Sequence, residues 1–139
     1  DERRLVESAV KATDNSYAPY SNFRVGAAVA LDNGEIVTGA NQENAAYPSG
    51  LCAERTALFS AQAQHPAQPV KMLAIAARNE SGLLELPITP CGACRQVIVG
   101  VEDRYGKPME ILLYGKSCVY RIHSAKDLLP LSFVDSSLL

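Results

Sequence analysis

Apolar positions along the chain alternate between two periods. From Asp1 to about Thr13, Leu5, Ala9 and Ala12 recur at helical spacing with Val6 and Val10 beside them, which predicts a helix. Acidic residues in its first turn suit the positive end of the helix dipole. Asp14 to Tyr20 carries Asn, Ser and Pro and reads as a loop. From Phe23 to Leu31 the period falls to two, and Phe23, Val25, Ala27, Val29 and Leu31 share one face of a strand. Asp32-Asn33-Gly34 is a tight hairpin turn, and Glu35 to about Asn41 returns as a second strand. Gln42 to Gly50 is a polar loop, the kind of segment where binding residues concentrate.

Helical spacing resumes from about Cys52 to Gln64, with Ala53, Ala57, Leu58 and Ala61 inward, and His65 to Pro69 ends it. Val70 to Ala77 is almost continuously apolar, which predicts a central strand covered on both faces. Arg78 to Leu86 reads as a polar loop. A third helix is expected from about Gly92 to Tyr105, on Val97, Ile98, Val101 and Tyr105. Met109 to Tyr114 and Cys118 to Ile122 are the fourth and fifth strands. Only Gly115-Lys116-Ser117 joins them, too little for a parallel crossover, so as neighbours they must be antiparallel. Ser124 is placed to cap a short last helix to about Leu129.

At 139 residues the pattern predicts one domain, spanning 1–139. A net charge of −2 argues against a nucleic-acid partner, which selects for a basic face. There is no apolar run of about 18 residues to span a membrane and no evident secretory leader. The cysteines therefore read as reduced, and a cytoplasmic location is expected. Cys118, in an apolar strand pattern, is expected to be a buried free thiol. His65 and His123 read as surface or strand-end residues, leaving no histidine at a sensible spacing for a metal.

Two short stretches carry the chemistry: Cys52-Ala53-Glu54-Arg55 and Pro90-Cys91-Gly92-Ala93-Cys94-Arg95-Gln96. Each opens a helical pattern. Cys91 and Cys94 lie one turn apart and point to one face. Three thiols without a fourth ligand make a Zn²⁺ site with an open position, the mark of a catalytic zinc. Helix N-termini favour the thiolate form. Glu54 lies too close in sequence to Cys52 to share its metal easily, but it can reach a water there. A redox Cys-x-x-Cys pair would leave Cys52 and Glu54 without a role. Other candidates are weaker on residues alone. Asn41 and Glu43, two apart, read as a polar strand end and Phe23 as core, while Arg55 would read as a surface arginine only if the metal shell held a histidine.

These blocks are similar to those of zinc-dependent nucleobase deaminases in their three-cysteine form. Together with Pro19–Ala28, Asn41–Tyr47 and Leu128–Phe133 they resemble the cytidine deaminase family, over roughly Tyr17 to Phe133. The resemblance implies a three-layer α/β/α fold with a mixed five-stranded sheet, the fifth strand antiparallel to the fourth. It also implies one zinc per chain on Cys52, Cys91 and Cys94, with Glu54 as the proton shuttle. By the same resemblance, Asn41 and Glu43 hold the ribose, Ala45 contacts the pyrimidine through its backbone, and Phe23 and Phe133 enclose the nucleoside. Tyr47 matches a residue near the subunit contacts of the site, and Gln96 reads as a helix residue supporting the metal. Three thiolates leave a divalent ion with net negative charge, which would make a bound water less acidic, so Arg55 is expected to offset it at the sulfurs. The implied reaction is deamination of cytidine and 2′-deoxycytidine, by a homotetramer with shared sites. The short fourth-to-fifth connection favours a free nucleoside over a polynucleotide. A blasticidin S-type nucleoside is the rival substrate, against which Asn41, Glu43 and the Leu-Ser-Phe133 ending weigh.

Overall fold

In the computed structural model, which describes all 139 residues, α1 spans Glu2–Ala12. Asp1 caps it by accepting from the Arg4 amide at 3.1 Å, an arrangement worth about 1 kcal/mol. Leu5, Ala9 and Ala12 are its buried stripe, and the chain then tightens into one 3₁₀ turn, Thr13–Asn15. The hairpin follows as β1 (Arg24–Leu31) and β2 (Ile36–Ala40). α2 covers Ala53–Gln64 and β3 covers Val70–Asn79, followed by the two-residue β4, Gly82–Leu83. Then come α3 (Gly92–Tyr105), β5 (Glu110–Tyr114) and β6 (Val119–Ile122). Gly106 ends α3 at φ 62°, a left-handed position that suits glycine.

The sheet runs β2-β1-β3-β5-β6, with β4 paired to β3 beside that path. Only β3 and β5 are parallel, joined by the long crossover through α3, and β5 and β6 pair antiparallel as their short connection requires. Helices lie on both faces, so the architecture is the expected three-layer α/β/α with a mixed sheet. α1 packs on one face over Ala28, Ala74, Ala76 and Leu112. On the other face α2 and α3 cover the larger side chains, including Val25, Val29, Leu31, Leu73, Ile75, Ile111 and Leu113. Each such residue, fully buried, stabilises the fold by roughly 1.5–3 kcal/mol. Alternate positions on β1 and β3 thus serve different faces, and the α1 side is lined by smaller residues.

Two glycines show how closely the layers meet. A Cβ on Gly26 would lie 2.1 Å from the Ala9 carbonyl oxygen in α1, and one on Gly39 would lie 2.5 Å from the Ala57 nitrogen in α2.

Three local expectations need correction. The expected polar loop from Arg78 begins inside β3: Arg78 pairs with Leu83 and Asn79 with Gly82, so the sheet gains a short sixth strand. Cys118 is exposed, not buried, because the edge strand it precedes has Val119 and Tyr120 open to solvent. The short helix after Ser124 is a single 3₁₀ turn, Ala125–Asp127, capped by the Ser124 hydroxyl as anticipated, and a second such turn covers Asp135–Leu138. No helix is long and apolar enough to cross a membrane.

Candidate active site

The N-termini of α2 and α3 bring three sulfurs together. Cys52 is the residue before α2 and Cys91 the residue before α3, while Cys94 lies in the first turn of α3. The Sγ atoms of Cys52, Cys91 and Cys94 all lie within 4.8 Å of one another, and Cys52 and Cys91 are 3.9 Å apart. A tetrahedral zinc about 2.3 Å from each thiolate would space them roughly 3.8 Å apart, so the cluster has the right size and the right soft donors. The Cys94 amide donates to Cys91 Sγ at 3.5 Å, which directs a helix-end dipole at that sulfur. All four cysteines of the chain are free thiols.

Charge in the cluster is unevenly held. The Cys94 thiol donates to Cys52 and, despite partial burial, brings the Cys52 thiol down to about 5, with Arg55 and Cys91 assisting. Cys94 is pushed up in return by that same hydrogen bond, by burial and by the Glu54 charge. Arg55 Nη2 donates to Cys52 Sγ at 3.5 Å, and the thiolate in turn holds the guanidinium more firmly protonated. The Arg55 Nε is buried and has no hydrogen-bond partner.

Glu54 is the one carboxylate within this group, and it is only 4% exposed. Burial pushes its carboxyl above the ordinary carboxylate value, partly countered by a hydrogen bond to its own backbone, and the Cys52 thiolate charge adds to the rise. A carboxyl held this way keeps its proton to higher pH than one in water.

A second group forms at the end of β2. The Asn41 amide donates from Nδ2 to the Phe23 carbonyl at 2.9 Å, and its Oδ1 accepts from the Val25 amide at 2.8 Å and from the Ser16 hydroxyl at 2.5 Å. Glu43 Oε1 accepts the amides of Tyr20 and Ser21 at 3.1 and 3.2 Å, and its Oε2 accepts the Ser21 hydroxyl at 2.5 Å. The Ser21 hydroxyl is the first cause of a lowered Glu43 carboxyl value. Asn41 and Glu43 therefore organise the loop that carries Phe23. Asn22 at φ 56° makes the bend in that loop, a conformation asparagine tolerates better than most residues. Tyr20, Ser21, Glu43, Asn44 and Tyr47 line a cleft of about 420 Å³, where the two tyrosine rings meet edge to face at 5.3 Å. Ala45 is exposed in the same loop.

Gln96 and Phe133 form a third group: the Gln96 side chain donates to the Phe133 carbonyl at 2.7 Å. Phe133 itself is 61% exposed, and it is the neighbouring Val134 that packs on the core. Sequence reasoning assigned no role to Ser16, Ser21 or Arg95. Ser21 stood inside one of the motif blocks, but a hydroxyl in a loop gives no sign of which carboxylate it will meet.

The family described as cytidine and deoxycytidylate deaminase zinc-binding region matches residues 1–105. The cytidine deaminase of Halalkalibacterium halodurans is 42% identical over 98 residues, which is 70% of each chain. The crystal structure of cytidine deaminase from Burkholderia pseudomallei superposes with a TM-score of 0.82 at 42% identity, covering 96% of this chain and 99% of that one. The Mycobacterium tuberculosis enzyme gives 0.73 at 32% identity, covering 96% and 97%. With the three thiols, the buried glutamate and the sheet order in place, these likenesses show that the chain belongs to the cytidine deaminase family.

Proposed function

We propose that the protein is a zinc-dependent hydrolase that converts cytidine, and with it 2′-deoxycytidine, to the uridine product and ammonia, a reaction of pyrimidine salvage. The observation that carries this reading is Glu54, buried beside three converging thiols. Cys52, Cys91 and Cys94 would hold the ion, whose Lewis acidity makes a water nucleophilic at neutral pH.

Glu54 takes the proton that the water gives up as its oxygen bonds to C4 of the cytosine ring. It passes a proton to ring N3, which neutralises the charge pushed onto that nitrogen. Glu54 then takes the proton of the new C4 hydroxyl and gives it to the C4 amino group, the C4–N bond breaks as the C4 carbonyl forms, and ammonia leaves. The raised carboxyl value supports this traffic, because a group that both accepts and returns a proton works best near the ambient pH. Arg55 offsets the excess negative charge of three thiolates through its hydrogen bond to Cys52.

For the nucleoside we assign Asn41 and Glu43 to the ribose hydroxyls, Ala45 to the pyrimidine through its backbone, and Phe23 and Phe133 to its faces. Tyr47 sits beside the cleft. Gln96 acts on Phe133 rather than on the metal, as its hydrogen bond supports. The large exposure of Phe133 and Tyr47 suits a homotetramer whose sites are completed across subunits.

The test is a zinc assay with a substrate panel on the purified protein. Loss of cytidine absorbance with one zinc per chain is the expected result. Turnover of blasticidin S without turnover of cytidine would replace the substrate assignment, and no turnover of any cytosine nucleoside by zinc-loaded protein would overturn the reading.

A further inference from the structure

The chain beyond β6 is held in an unusual way. From Ser124 to the C-terminus, its backbone-to-backbone hydrogen bonds outside named elements join residues three apart, such as Leu128 to Ala125 and Ser137 to Val134. Hydrogen bonds that reach this segment from elsewhere all start on α3. Glu102 accepts the Ser124 hydroxyl at 2.7 Å and the Ala125 amide at 2.9 Å. Arg95 Nη1 donates to the Leu128 carbonyl at 3.1 Å, and Gln96 donates to the Phe133 carbonyl at 2.7 Å. Ala125, Leu128, Leu129 and Val134 add apolar contact with the core.

Glu102 also accepts the Met109 amide at 2.7 Å, which ties the segment to the entry of β5, but only Arg95 ties it to the approach to the thiol cluster. Arg95 Nε donates at 2.8 Å to the carbonyl of Pro90, the residue that enters Cys91. One rigid, planar guanidinium thus joins the peptide leading into a zinc thiol to the segment that leads to Phe133. Both bonds are charge-assisted, and the fork fixes the angle between them as well as their lengths. A lysine has a single mobile ammonium and cannot hold two carbonyls in that relation. Pro90 is itself buried, so its carbonyl has few alternative partners.

We propose that Arg95 is a positioning residue of the deaminase site, which sets the seat of Cys91 and the course of the C-terminal segment together. It touches neither metal nor nucleoside. It acts on the metal through Pro90 and Cys91, and on the nucleoside through Leu128 and the stretch to Phe133, with Gln96 completing the second connection only. The proposal rests on the reading that Cys91 holds zinc and Phe133 meets the nucleoside.

The experiment compares zinc-loaded parent, Arg95→Lys, Gln96→Ala and Phe133→Ala. Three quantities are read: zinc release to a chelator, amide hydrogen exchange over residues 126–134, and KM for cytidine. Arg95→Lys should release zinc about 10-fold faster or more, the scale of losing a group that orients a ligand. It should also speed exchange across the segment and raise KM. Gln96→Ala should speed exchange near Phe133 and raise KM while zinc release stays at the parental rate. Parental zinc release in Arg95→Lys overturns the proposal, and so does faster release with unchanged exchange over 126–134. If the lysine variant loses its native circular dichroism, Arg95→Gln takes its place in the same comparison. Should Phe133→Ala keep the parental KM, the assignment of Phe133 to the nucleoside fails, while zinc release and exchange still decide the role of Arg95.

Discussion

Helix α2 begins in the interior and helix α3 begins at the surface. Behind Cys52, both Ala53 and Glu54 are buried, whereas Cys91, Gly92 and Ala93 are exposed and only Cys94 turns inward. In each the residue before the helix is a cysteine, but only Cys91 caps its helix, accepting the Cys94 amide, whereas Cys52 makes no side-chain cap bond. They differ in what stands around the sulfur. On α2 the next side chains are a desolvated carboxylate and an arginine bonded to the thiol. On α3 they are small, and the arginine and glutamine that follow reach away to the backbone of the C-terminal segment. The buried helix start shifts the proton affinity of its carboxyl, and the open one anchors the C-terminal segment.

The sharpest way to break this comparison is to remove the proposed proton carrier from the buried side. Glu54→Gln should keep zinc and fold while turnover falls by about 10²–10⁴-fold, the usual worth of a general acid–base group. Near-normal turnover by steady-state assay would place the base elsewhere. On the open side, Cys91→Ser should lower zinc content, measured by metal analysis, and turnover with it. Cys118→Ser should change neither, because that exposed thiol lies outside the cluster. Equal zinc loss from both would overturn the ligand assignment.

A smaller effect is expected from Arg55→Ala, about 10–100-fold in zinc affinity or turnover. A variant with parental values of both would show that α2 does not tune its thiol through this side chain. The smallest change concerns a group on neither helix. Ser21 holds the Glu43 carboxyl below its ordinary value, so the carboxylate proposed to bind ribose persists to lower pH in the parent. In Ser21→Ala that value rises, and the charged form is lost sooner as pH falls. The increase of KM on the acid side should therefore move to higher pH, with kcat little affected. An unmoved KM profile would separate Ser21 from nucleoside binding.

The sequence was most readable where period and residue type agree. The stripe Leu5, Ala9, Ala12 and the continuous run from Val70 found α1 and β3, and the spacing of Cys52, Cys91 and Cys94 found the metal cluster. It was less readable where neighbours decide. Nothing in Cys118-Val119-Tyr120 says whether a helix covers that edge, so exposure there could not be inferred from apolar character. The extension of β3 through Arg78 and Asn79 depends on Leu83 and Gly82 folding back to meet it. The tethers from α3 were invisible for a further reason: Arg95, Gln96 and Glu102 bond largely to backbone groups, which every residue possesses and which leave no mark on residue type.

Gly39 has a consequence for anyone who would evolve this enzyme toward new substrates. β2 and α2 touch there through bare backbone, with the Ala53 carbonyl and the Ala57 amide standing where a methyl would have to go. The same helix carries Cys52 and Glu54 at its start. A library that varies position 39 would therefore pry the catalytic end of α2 from the sheet, and nearly every member would be lost before its selectivity could be scored. Gly92, between Cys91 and Cys94, has open space around it, so variation aimed at the site can be placed there with little steric penalty within the chain.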